Sequence, residues 1–598
     1  MELVQVEYGG PVSRFVRDAV IVPANPSRQS QRRSHLPLIL EVRHVGSHMI
    51  KFGIGTHILL SLATSLIGAV LGDAQDYVQN SEPKLFSYDE LVQLSVEQEM
   101  RPELAEKLRL LTTTPFINNE AYLNGARPRG LDVARLGPCL RVAFWNIERG
   151  LKLDYIKLFL TDKDAFMRRV EEERRKAKEN DKRLRNVQLE RVKQEIETLG
   201  AADIWVLNEL DWGVKRTEYR EVVRELGKAL DMNWAYGVEF LEIDPKQLGT
   251  EPFDDGESDA ERQQLVDEFK VDKDRLRALH GNAVLSRYPI RSARLVPFTI
   301  GYDWFSESKI HTLEKAKRQV AKVVGEDLMR EVRRGQRTTL YVDLDVPNAP
   351  GGVITIAATH LENRTKPKIR RKQLEELLKH VHELRNPVVV AGDMNTTGSN
   401  STPTSIVYAM YKQFGDLDFW ATNGIQWTTG VGLAYTGAKV FRKLAGIQYR
   451  VDPSSINIPG ISPNLERGFF KTLEKYRFAD GTSFDFRGVP TRTIDDRSKT
   501  LADSNQRQSR GFTPTFITEL IWGKVRVARF KLDWIFVRAD MKDPKDPHGS
   551  YLLAPHFGRT LVNLSNCLPV PISDHSPITV DLPFKEPLGL IGREKAGG

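Results

Sequence analysis

Polar side chains that can take part in catalysis stand beside strand-like apolar runs at three places in this sequence. The run "VVVAGDMN" ends on Asp393 and Asn395, "IAATHLEN" contains His360, and "SDHSP" contains Asp574 and His575. A carboxylate can accept a proton or hold a divalent cation, and an imidazole can donate a hydrogen bond to an anionic oxygen. These side-chain types together indicate acid–base or metal-assisted chemistry at the ends of strands.

Further polar residues stand at the ends of other strand-like runs. Asn146 and Glu148 follow "LRVAFW", and Glu209 follows "DIWVLN". Asn282 opens the run "NAVLSRY", and Asp533 lies within "KLDWIF". A turn, a cap or a solvated loop explains each of them singly. Their repetition at strand ends, where open α/β sheets assemble their sites, favours one shared site.

The order of these motifs resembles that of a known group of enzymes. The set "WNIE", "NEL", "GNAVLSRYPI", "THLEN", "GDMN", "LDWIF" and "SDHSP" is similar to that of the endonuclease/exonuclease/phosphatase superfamily, over about residues 139 to 584. The resemblance implies an α/β fold, a four-layer sandwich of two packed mixed β-sheets flanked by helices. It also implies a metal-dependent phosphoesterase that uses Mg²⁺, with Mn²⁺ as the alternative.

The resemblance implies a metal site and a phosphate site. Glu209 matches the principal metal ligand, Glu148 matches a second acidic position near the metal, and Asp574 lies close to the metal. Asn146 and Asn282 match amide positions that support binding of the substrate phosphate.

The catalytic roles also follow from the resemblance. Asp393 would align or deprotonate the attacking water, and Asn395 would hold the phosphate. His575 would contact the scissile phosphate, with Asp533 orienting it from behind. His360 would be a second imidazole on the phosphate oxygens or on the leaving group.

Two basic residues directly follow the "THLEN" motif. Arg364 and Lys366 are the candidates for binding a second phosphate of the substrate. The alternative is that both are surface charges flanking the helix that begins after them.

The elements that must position these residues are predicted from hydrophobic periodicity. The run "PVVVAG" predicts a strand buried on both faces, and Gly392 is expected to let the chain bend before Asp393. The runs "TTLYVDLDV" and "VITIAATH" flank "PNAPGG" and predict an antiparallel hairpin. "KIRRKQLEELLKHVHEL" predicts an amphipathic helix, and the charged segment from about Asp164 to Leu199 predicts a solvated one.

Composition limits the class of protein. The 598 residues are 40% hydrophobic and 28% charged, which excludes wholesale disorder. The net charge of +8 favours a partner that carries phosphate, although a bland basic surface explains it about as well. Two cysteines, Cys139 and Cys567, exclude a cysteine-based metal site and a disulfide framework, but they allow one bridge in an oxidising compartment.

Changes in composition divide the chain into segments. Residues 52–72 contain no Asp, Glu, Lys or Arg, and reading from Met49 gives the basic start, apolar stretch and small-residue cleavage site of a signal peptide. A membrane anchor and a buried core helix are the second and third interpretations. The predicted segments are 1–51, a disordered or mis-annotated extension; 52–74, a signal peptide or anchor; 75–138, an extension or linker; 139–585, the catalytic domain with an insertion at about 421–530; and 586–598, a flexible tail.

A signal peptide or an anchor predicts a catalytic domain outside the cytoplasm, either secreted, periplasmic or held at a membrane through residues 52–72. The predicted substrate is a phosphodiester, with nucleic acid favoured over phospholipid. The alternative is a sphingomyelinase-like phospholipid hydrolase or an inositol-phosphate hydrolase, for which "RGFF" at 467–470 and "FITELIWG" at 516–523 are candidate membrane-entry segments. A binding module without catalysis is disfavoured, because all the motif residues are present.

Overall fold

The computed structural model of the chain describes residues 77–176, 182–252, 263, 270–306, 332–363, 365–396, 467–487, 492–493, 513–522, 525–541 and 551–587. The predictions for residues 1–51, 52–74 and 588–598, for Arg364 and for most of the 421–530 insertion lie outside these ranges. No helix among the described residues is both long and apolar enough to span a bilayer.

The larger of two mixed sheets has ten strands. Its main path runs β1-β2-β6-β7-β5-β4-β19-β18, with β3 paired to β4 and β9 paired to β6. The strands β4 and β5 are parallel, and the other pairs are antiparallel. The ten strands are β1 Asn80–Ser81, β2 Phe116–Asn118, β3 Asp132–Val133, β4 Gly137–Arg149, β5 Ile204–Trp212, β6 Asn233–Glu242, β7 Leu279–Ser286, β9 Arg333–Gly335, β18 His556–Thr560 and β19 Ile578–Pro583.

The smaller mixed sheet has five strands in the order β15-β12-β11-β10-β8. The predicted hairpin is confirmed, because β10 and β11 pair antiparallel around "PNAPGG". The strands β11 and β12 are parallel. The five strands are β8 Ile290–Pro297, β10 Thr338–Asp345, β11 Val353–His360, β12 Val388–Asp393 and β15 Asp533–Arg538. Two further strand pairs are β13 Phe516–Trp522 with β14 Val525–Phe530, and β16 Asp540–Met541 with β17 Tyr551–Leu552.

Helices lie on the outer face of each sheet. The predicted amphipathic helix after "THLEN" is present, whereas the charged segment, predicted as a solvated helix, contains three described helices that bury apolar residues. The helices are α1 Tyr88–Val96, α2 Pro102–Leu111, α3 Glu120–Leu123, α4 Leu153–Thr161, α5 Lys163–Lys176, α6 Lys182–Asn186, α7 Leu189–Gly200, α8 Val222–Leu230, α9 Pro367–Val381, α10 Arg467–Lys475 and α11 Val562–Ser565.

Three hydrophobic cores separate four layers. One core joins the ten-stranded sheet to helices α1, α2, α4, α5, α7 and α8, and a second lies between the two sheets. The third joins the five-stranded sheet to α9 and α10. Strand β12 shows why its sequence is uniformly apolar: Val389 and Ala391 pack between the sheets, while Val388 and Val390 pack against the helices. The predicted four-layer α/β sandwich is therefore confirmed.

Residues 77–138, predicted as an extension or linker, belong to this folded unit. Strand β2 pairs with β6 inside the ten-stranded sheet, with Ile117 opposite Ala235. Leu91 of α1 and Leu111 of α2 are buried in the core beneath that sheet. The sequence does not reveal this pairing, because strands of two or three residues are too short to show a period of two.

Two other segments contain buried residues where the sequence predicted an exposed or flexible chain. Phe469 and Phe470, within the "RGFF" run, are buried against the five-stranded sheet, so they cannot serve as a membrane-entry surface. Glu586, placed in the flexible tail, is buried and accepts a hydrogen bond from Arg492 Nε at 2.9 Å. Cys139 and Cys567 are both buried free thiols in different clusters, and they form no bridge.

Candidate active site

Two pairs of parallel strands, one from each sheet, end at the same place. In the ten-stranded sheet β4 and β5 run parallel, with Asn146 opposite Asn208. In the five-stranded sheet β11 and β12 run parallel, with His360 opposite Asp393. The backbone N–H of Asp393 donates to Asn208 Oδ1 at 2.8 Å, so the carboxyl ends of both pairs meet. This junction is where the sequence predicted a site.

Asp393 lies between two imidazoles at this junction. The Oδ2 atom of Asp393 is 3.7 Å from His575 Nε2 and 3.6 Å from His360 Nε2. Behind His575, its Nδ1 atom is 2.8 Å from Asp533 Oδ2 and 3.0 Å from Oδ1. Strand pairing places Asp533 directly opposite Asp393, because β15 lies beside β12. The predicted orienting role of Asp533 fits this geometry.

The loop that carries His575 is fastened to strand β4. The Ser573 hydroxyl donates to the backbone carbonyl of Asn146 at 2.7 Å and accepts the backbone N–H of His575 at 3.1 Å. The indole N–H of Trp145 donates to the carbonyl of His575 at 2.8 Å. Ser573 is therefore a turn residue, and the imidazole is held by bonds from both sides of the motif.

The charges and burial in this cluster give Asp393 and His575 different protonation behaviour. Burial raises the pKa of Asp393 to about 7, with the nearby Asp533 carboxylate as the next cause. Burial alone would lower the pKa of His575, but the carboxylates of Asp533 and Asp574 outweigh it, and this pKa lies well above its ordinary value. Asp393 can thus exchange a proton near neutral pH, while His575 stays an imidazolium that donates from Nε2.

An acidic group faces this cluster from the ten-stranded sheet. Asn146 connects two of its members, since its Nδ2 atom donates to Glu209 Oε1 and its Oδ1 atom accepts the backbone N–H of Glu148, both at 3.1 Å. Burial raises the pKa of Glu148 to about 8, helped by the charges of Asp574 and Glu209. Burial also raises the pKa of Asp574. For Glu209 the charge of Arg149, followed by other cations, outweighs burial and lowers the pKa.

Irregular backbone aims these carboxylates. The pairing of β4 with β5 shifts register between Asn146 and Arg149, and the pairing of β5 with β7 shifts between Leu207 and Leu210. Glu148, Arg149 and Glu209 adopt positive φ values of 47°, 65° and 56°. Each such conformation costs about 1–3 kcal/mol in a non-glycine residue, and β-bulges re-aim side chains beside active sites. These backbone conformations therefore lower the stability of the fold, and they turn the side chains toward the site.

The remaining predicted residues divide into three groups. Asn282 lies in the site: its Oδ1 atom accepts from Asn208 Nδ2 at 2.7 Å, and its buried Nδ2 atom has no hydrogen-bond partner among the described residues. Asn395 adopts a φ of 45° and donates from Nδ2 to the Leu361 carbonyl at 2.9 Å, so it fixes the loop after His360. Lys366 is exposed at the start of α9, and Arg364 lies outside the described residues.

Sequence reasoning missed three residues of the site. Asn208 bridges Asp393 and Asn282, and its only signal is its place beside Glu209 in "VLNE". Arg337 donates to His360 Nδ1 at 2.7 Å, and no motif marks it. His280, in "HGNAVLS", is buried with Nδ1 2.9 Å from Asp211 Oδ1, and its charge helps to lower the pKa of Glu209.

The site contains groups that could hold a metal ion. Asp393, Asp533 and His575 place one ligand atom each within 4.8 Å of one another, the only such trio in the described part of the chain. The carboxylates of Glu148, Glu209 and Asp574 are less tightly gathered, but the charges of Asp574 and Glu209 raise the pKa of Glu148, and that of Glu209 raises the pKa of Asp574. Several carboxylates crowded beside one amide form a donor set that suits a hard divalent cation.

Comparisons with known proteins agree with the motifs. The model of the Endonuclease/Exonuclease/phosphatase family matches residues 143–575. A search of curated proteins found no match. Among solved structures, an endonuclease/exonuclease/phosphatase from Beutenbergia cavernae DSM 12333 is 17% identical, with a TM-score of 0.32 over 74% of this chain and 71% of that one.

Two other solved structures are similar at the same level. An AP endonuclease from Archaeoglobus fulgidus is 14% identical with a TM-score of 0.29, over 74% of this chain and 99% of that one. A 3'-5' exonuclease from Neisseria meningitidis is 11% identical with a TM-score of 0.30, also over 74% and 99%. Because the family model spans most of the chain and its matched range contains every predicted site residue, the chain belongs to the endonuclease/exonuclease/phosphatase family of phosphoesterases.

Proposed function

We propose that the protein is a metal-dependent phosphodiesterase, most simply a nuclease, that hydrolyses its substrate by attack of an activated water on phosphorus. The observation that carries this proposal is Asp393 between His575 and His360, with Asp533 bonded to the far side of His575. This arrangement offers a proton acceptor beside two hydrogen-bond donors, which is what hydrolysis of a phosphate ester requires.

The residues of the five-stranded sheet and the His575 loop act on the water and on the phosphate. Asp393, with a pKa of about 7, takes the proton of the attacking water. His575 donates from Nε2 to a phosphate oxygen, because Asp533 holds Nδ1 and keeps the ring charged. Asn282 has a buried N–H that no residue in the described part of the chain accepts, and this group suits a second phosphate oxygen. These donors lie where negative charge grows during attack.

The cation in this proposal is Mg²⁺ or Mn²⁺, held by Glu209, Glu148 and Asp574. The donor set fits, because the charges of Glu209 and Asp574 raise the pKa of Glu148, the charge of Glu209 also raises that of Asp574, and a nearby positive ion relieves such repulsion. When bound, such an ion neutralises charge on the phosphate oxygens. Asn146 keeps Glu209 and the Glu148 backbone in place through its two hydrogen bonds.

Nucleic acid is the favoured substrate. The net charge of +8 suits a polyanion, and the burial of Phe469 and Phe470 removes one of the two segments that would have favoured a phospholipid. A sphingomyelin or inositol-phosphate substrate stays as the alternative. Secretion or membrane anchoring through residues 52–74 also stays a proposal, supported by the apolar run in the sequence.

The test is a panel of assays on the full chain. Plasmid DNA, RNA, sphingomyelin and inositol phosphates would be incubated with Mg²⁺ or with a chelator, alongside Glu209→Ala and His575→Ala. We expect cleavage of nucleic acid that the chelator abolishes and that both variants lose. Activity that resists the chelator, or that both variants retain, would refute the proposed mechanism. Activity on sphingomyelin alone would show that the substrate is a phospholipid.

A further inference from the structure

A buried arginine stands between a carboxylate and the second imidazole of the site. Arg337, in the short link between β9 and β10, is 3% exposed. One of its nitrogen atoms, Nη1, is 2.8 Å from Glu239 Oε2 and 2.7 Å from His360 Nδ1. Its guanidinium also lies over the ring of Phe240, 5.2 Å from the centroid. Two hydrogen bonds and one contact with an aromatic ring therefore fix the position of the Arg337 guanidinium.

The direction of the bond to His360 follows from chemistry. A guanidinium carries five N–H donors, has no acceptor and does not lose its proton in proteins. The Nδ1 atom of His360 must therefore accept, using its lone pair. In a neutral imidazole the proton is then on Nε2, the atom that lies 3.6 Å from Asp393 Oδ2.

Glu239 does not contact His360 directly. Its Oε2 atom is 4.0 Å from His360 Nδ1, beyond hydrogen-bonding distance, and Arg337 donates to both. A carboxylate bonded to Nδ1 would place the proton there, as Asp533 does for His575. The two imidazoles beside Asp393 therefore have opposite partners: a carboxylate holds His575 and a guanidinium holds His360.

The surroundings of His360 also oppose a positive charge on its ring. Burial lowers the pKa of His360 well below its ordinary value, and Arg337 is the next cause, followed by His280 and His575. Protonating Nδ1 would set two cations against each other with no lone pair between them.

We propose that Arg337 is a positioning residue that fixes His360 in the Nε2–H tautomer, so that His360 serves as a neutral hydrogen-bond donor to a substrate phosphate oxygen. The inference rests on the proposed function for the identity of the acceptor. It removes proton transfer from the roles of His360: this ring neither takes the proton of the water nor gives one to the leaving group.

The first experiment separates hydrogen bonding from proton transfer. The amide of His360→Gln can present an N–H near the position of Nε2, but it cannot transfer a proton, and His360→Leu can do neither. We expect kcat/KM of His360→Gln to stay within about tenfold of wild type, and that of His360→Leu to fall about 10²–10³-fold, as for loss of one oxyanion donor. Equal losses in the two variants, with matching thermal unfolding, would overturn the proposal.

The second experiment reads the tautomer without activity. The imidazole ¹⁵N signals of His360 in the full chain are identified by their absence from His360→Gln. We expect a protonated Nε2 and an unprotonated Nδ1 in wild type. Arg337→Lys should show the same pattern, because a lysine ammonium also donates and cannot accept. In Arg337→Met the Glu239 carboxylate is free to accept from Nδ1–H, so the pattern should reverse.

A double variant controls for the charge left buried by this change. Arg337→Met combined with Glu239→Gln leaves no unpaired carboxylate, so folding and tautomer can be judged separately. A proton on Nδ1 of wild-type His360 would overturn the proposal. Full activity of Glu209→Ala and His575→Ala would instead refute the phosphodiesterase, while leaving the tautomer result standing.

Discussion

The backbone N–H of Asp393 in the five-stranded sheet donates a 2.8 Å hydrogen bond to the side-chain oxygen of Asn208 in the ten-stranded sheet. The Nδ2 atom of the same Asn208 side chain donates to Asn282 Oδ1 at 2.7 Å. One buried side chain therefore ties the two sheets together at the point where the proposed base and the phosphate-binding amide stand. Their relative position depends on a bond that connects residues far apart in the chain.

Removing this connection should affect both folding and activity. Asn208→Ala leaves the buried N–H of Asp393 without a partner, which costs about 1–3 kcal/mol of unfolding free energy. It also releases Asp393 and Asn282 from their shared position, so we expect kcat/KM to fall about 10²-fold. Urea unfolding and steady-state kinetics would measure the two effects.

Asn233→Ala is the matched control for Asn208→Ala. Asn233 is also fully buried in the same sheet, and it donates to the carbonyls of Ser286 and Tyr288 away from the site. A similar loss of stability with activity retained per folded molecule is expected. If both variants lose activity equally, the role assigned to Asn208 is wrong.

The activity should rise with pH around neutrality. Only the ionised form of Asp393 can accept a proton, and its pKa is raised to about 7, chiefly by burial. We expect kcat/KM to increase about tenfold per pH unit below this value and to level off above it. A pH profile taken at saturating Mg²⁺ measures it. A profile flat between pH 5 and about 8 would contradict the assignment of the base.

Binding of the cation should release a proton. Glu148, with a pKa raised to about 8 by burial and by its acidic neighbours, is mostly protonated at pH 7. Ligands must lose their protons to bind a metal, so about one proton should leave per Mn²⁺ bound. Calorimetric titrations in buffers with different ionisation enthalpies would count it, and Glu148→Gln should abolish the release. An unchanged count in that variant would place the cation elsewhere.

Gly392 should tolerate no side chain. A methyl group there would overlap the backbone carbonyl of Thr359 on the neighbouring parallel strand. Gly392→Ala should therefore push β11 from β12, cost about 1–3 kcal/mol or more, and misplace Asp393. Gly301→Ala, at a position with open space around the added carbon, is the control and should change stability by less than about 0.5 kcal/mol. Equal Tm values for the two variants would contradict this account.

The sequence allowed a correct prediction of the sheets where the strands are long and apolar. Strand β12 was recognisable because both of its faces are buried, and the hairpin β10–β11 because a turn-forming loop separates two alternating runs. The role of Gly392 was predicted less well. The glycine sits in a regular extended strand and permits close approach of two backbones, whereas a bend had been expected.

The candidate site was predictable to the extent that its residues belong to motifs at strand ends. Arg337 could not be found in this way, because it acts through the tautomer of His360 and leaves no pattern in its own neighbourhood. The same holds for Asp211, whose bond to His280 depends on the pairing of β5 with β7. Cross-strand partners follow from register, and register is a property of the folded sheet.

The place of β2 in the ten-stranded sheet has a practical consequence for anyone who shortens this chain. Cutting at Cys139, where the family motifs begin, would remove β2 and leave the backbone of β6 from Trp234 to Tyr236 without its partner. An exposed strand of that kind recruits other chains, edge to edge. If the truncated chain precipitates, the cause would be the loss of strand β2 from its sheet, and the result would say nothing about the residues of the candidate site.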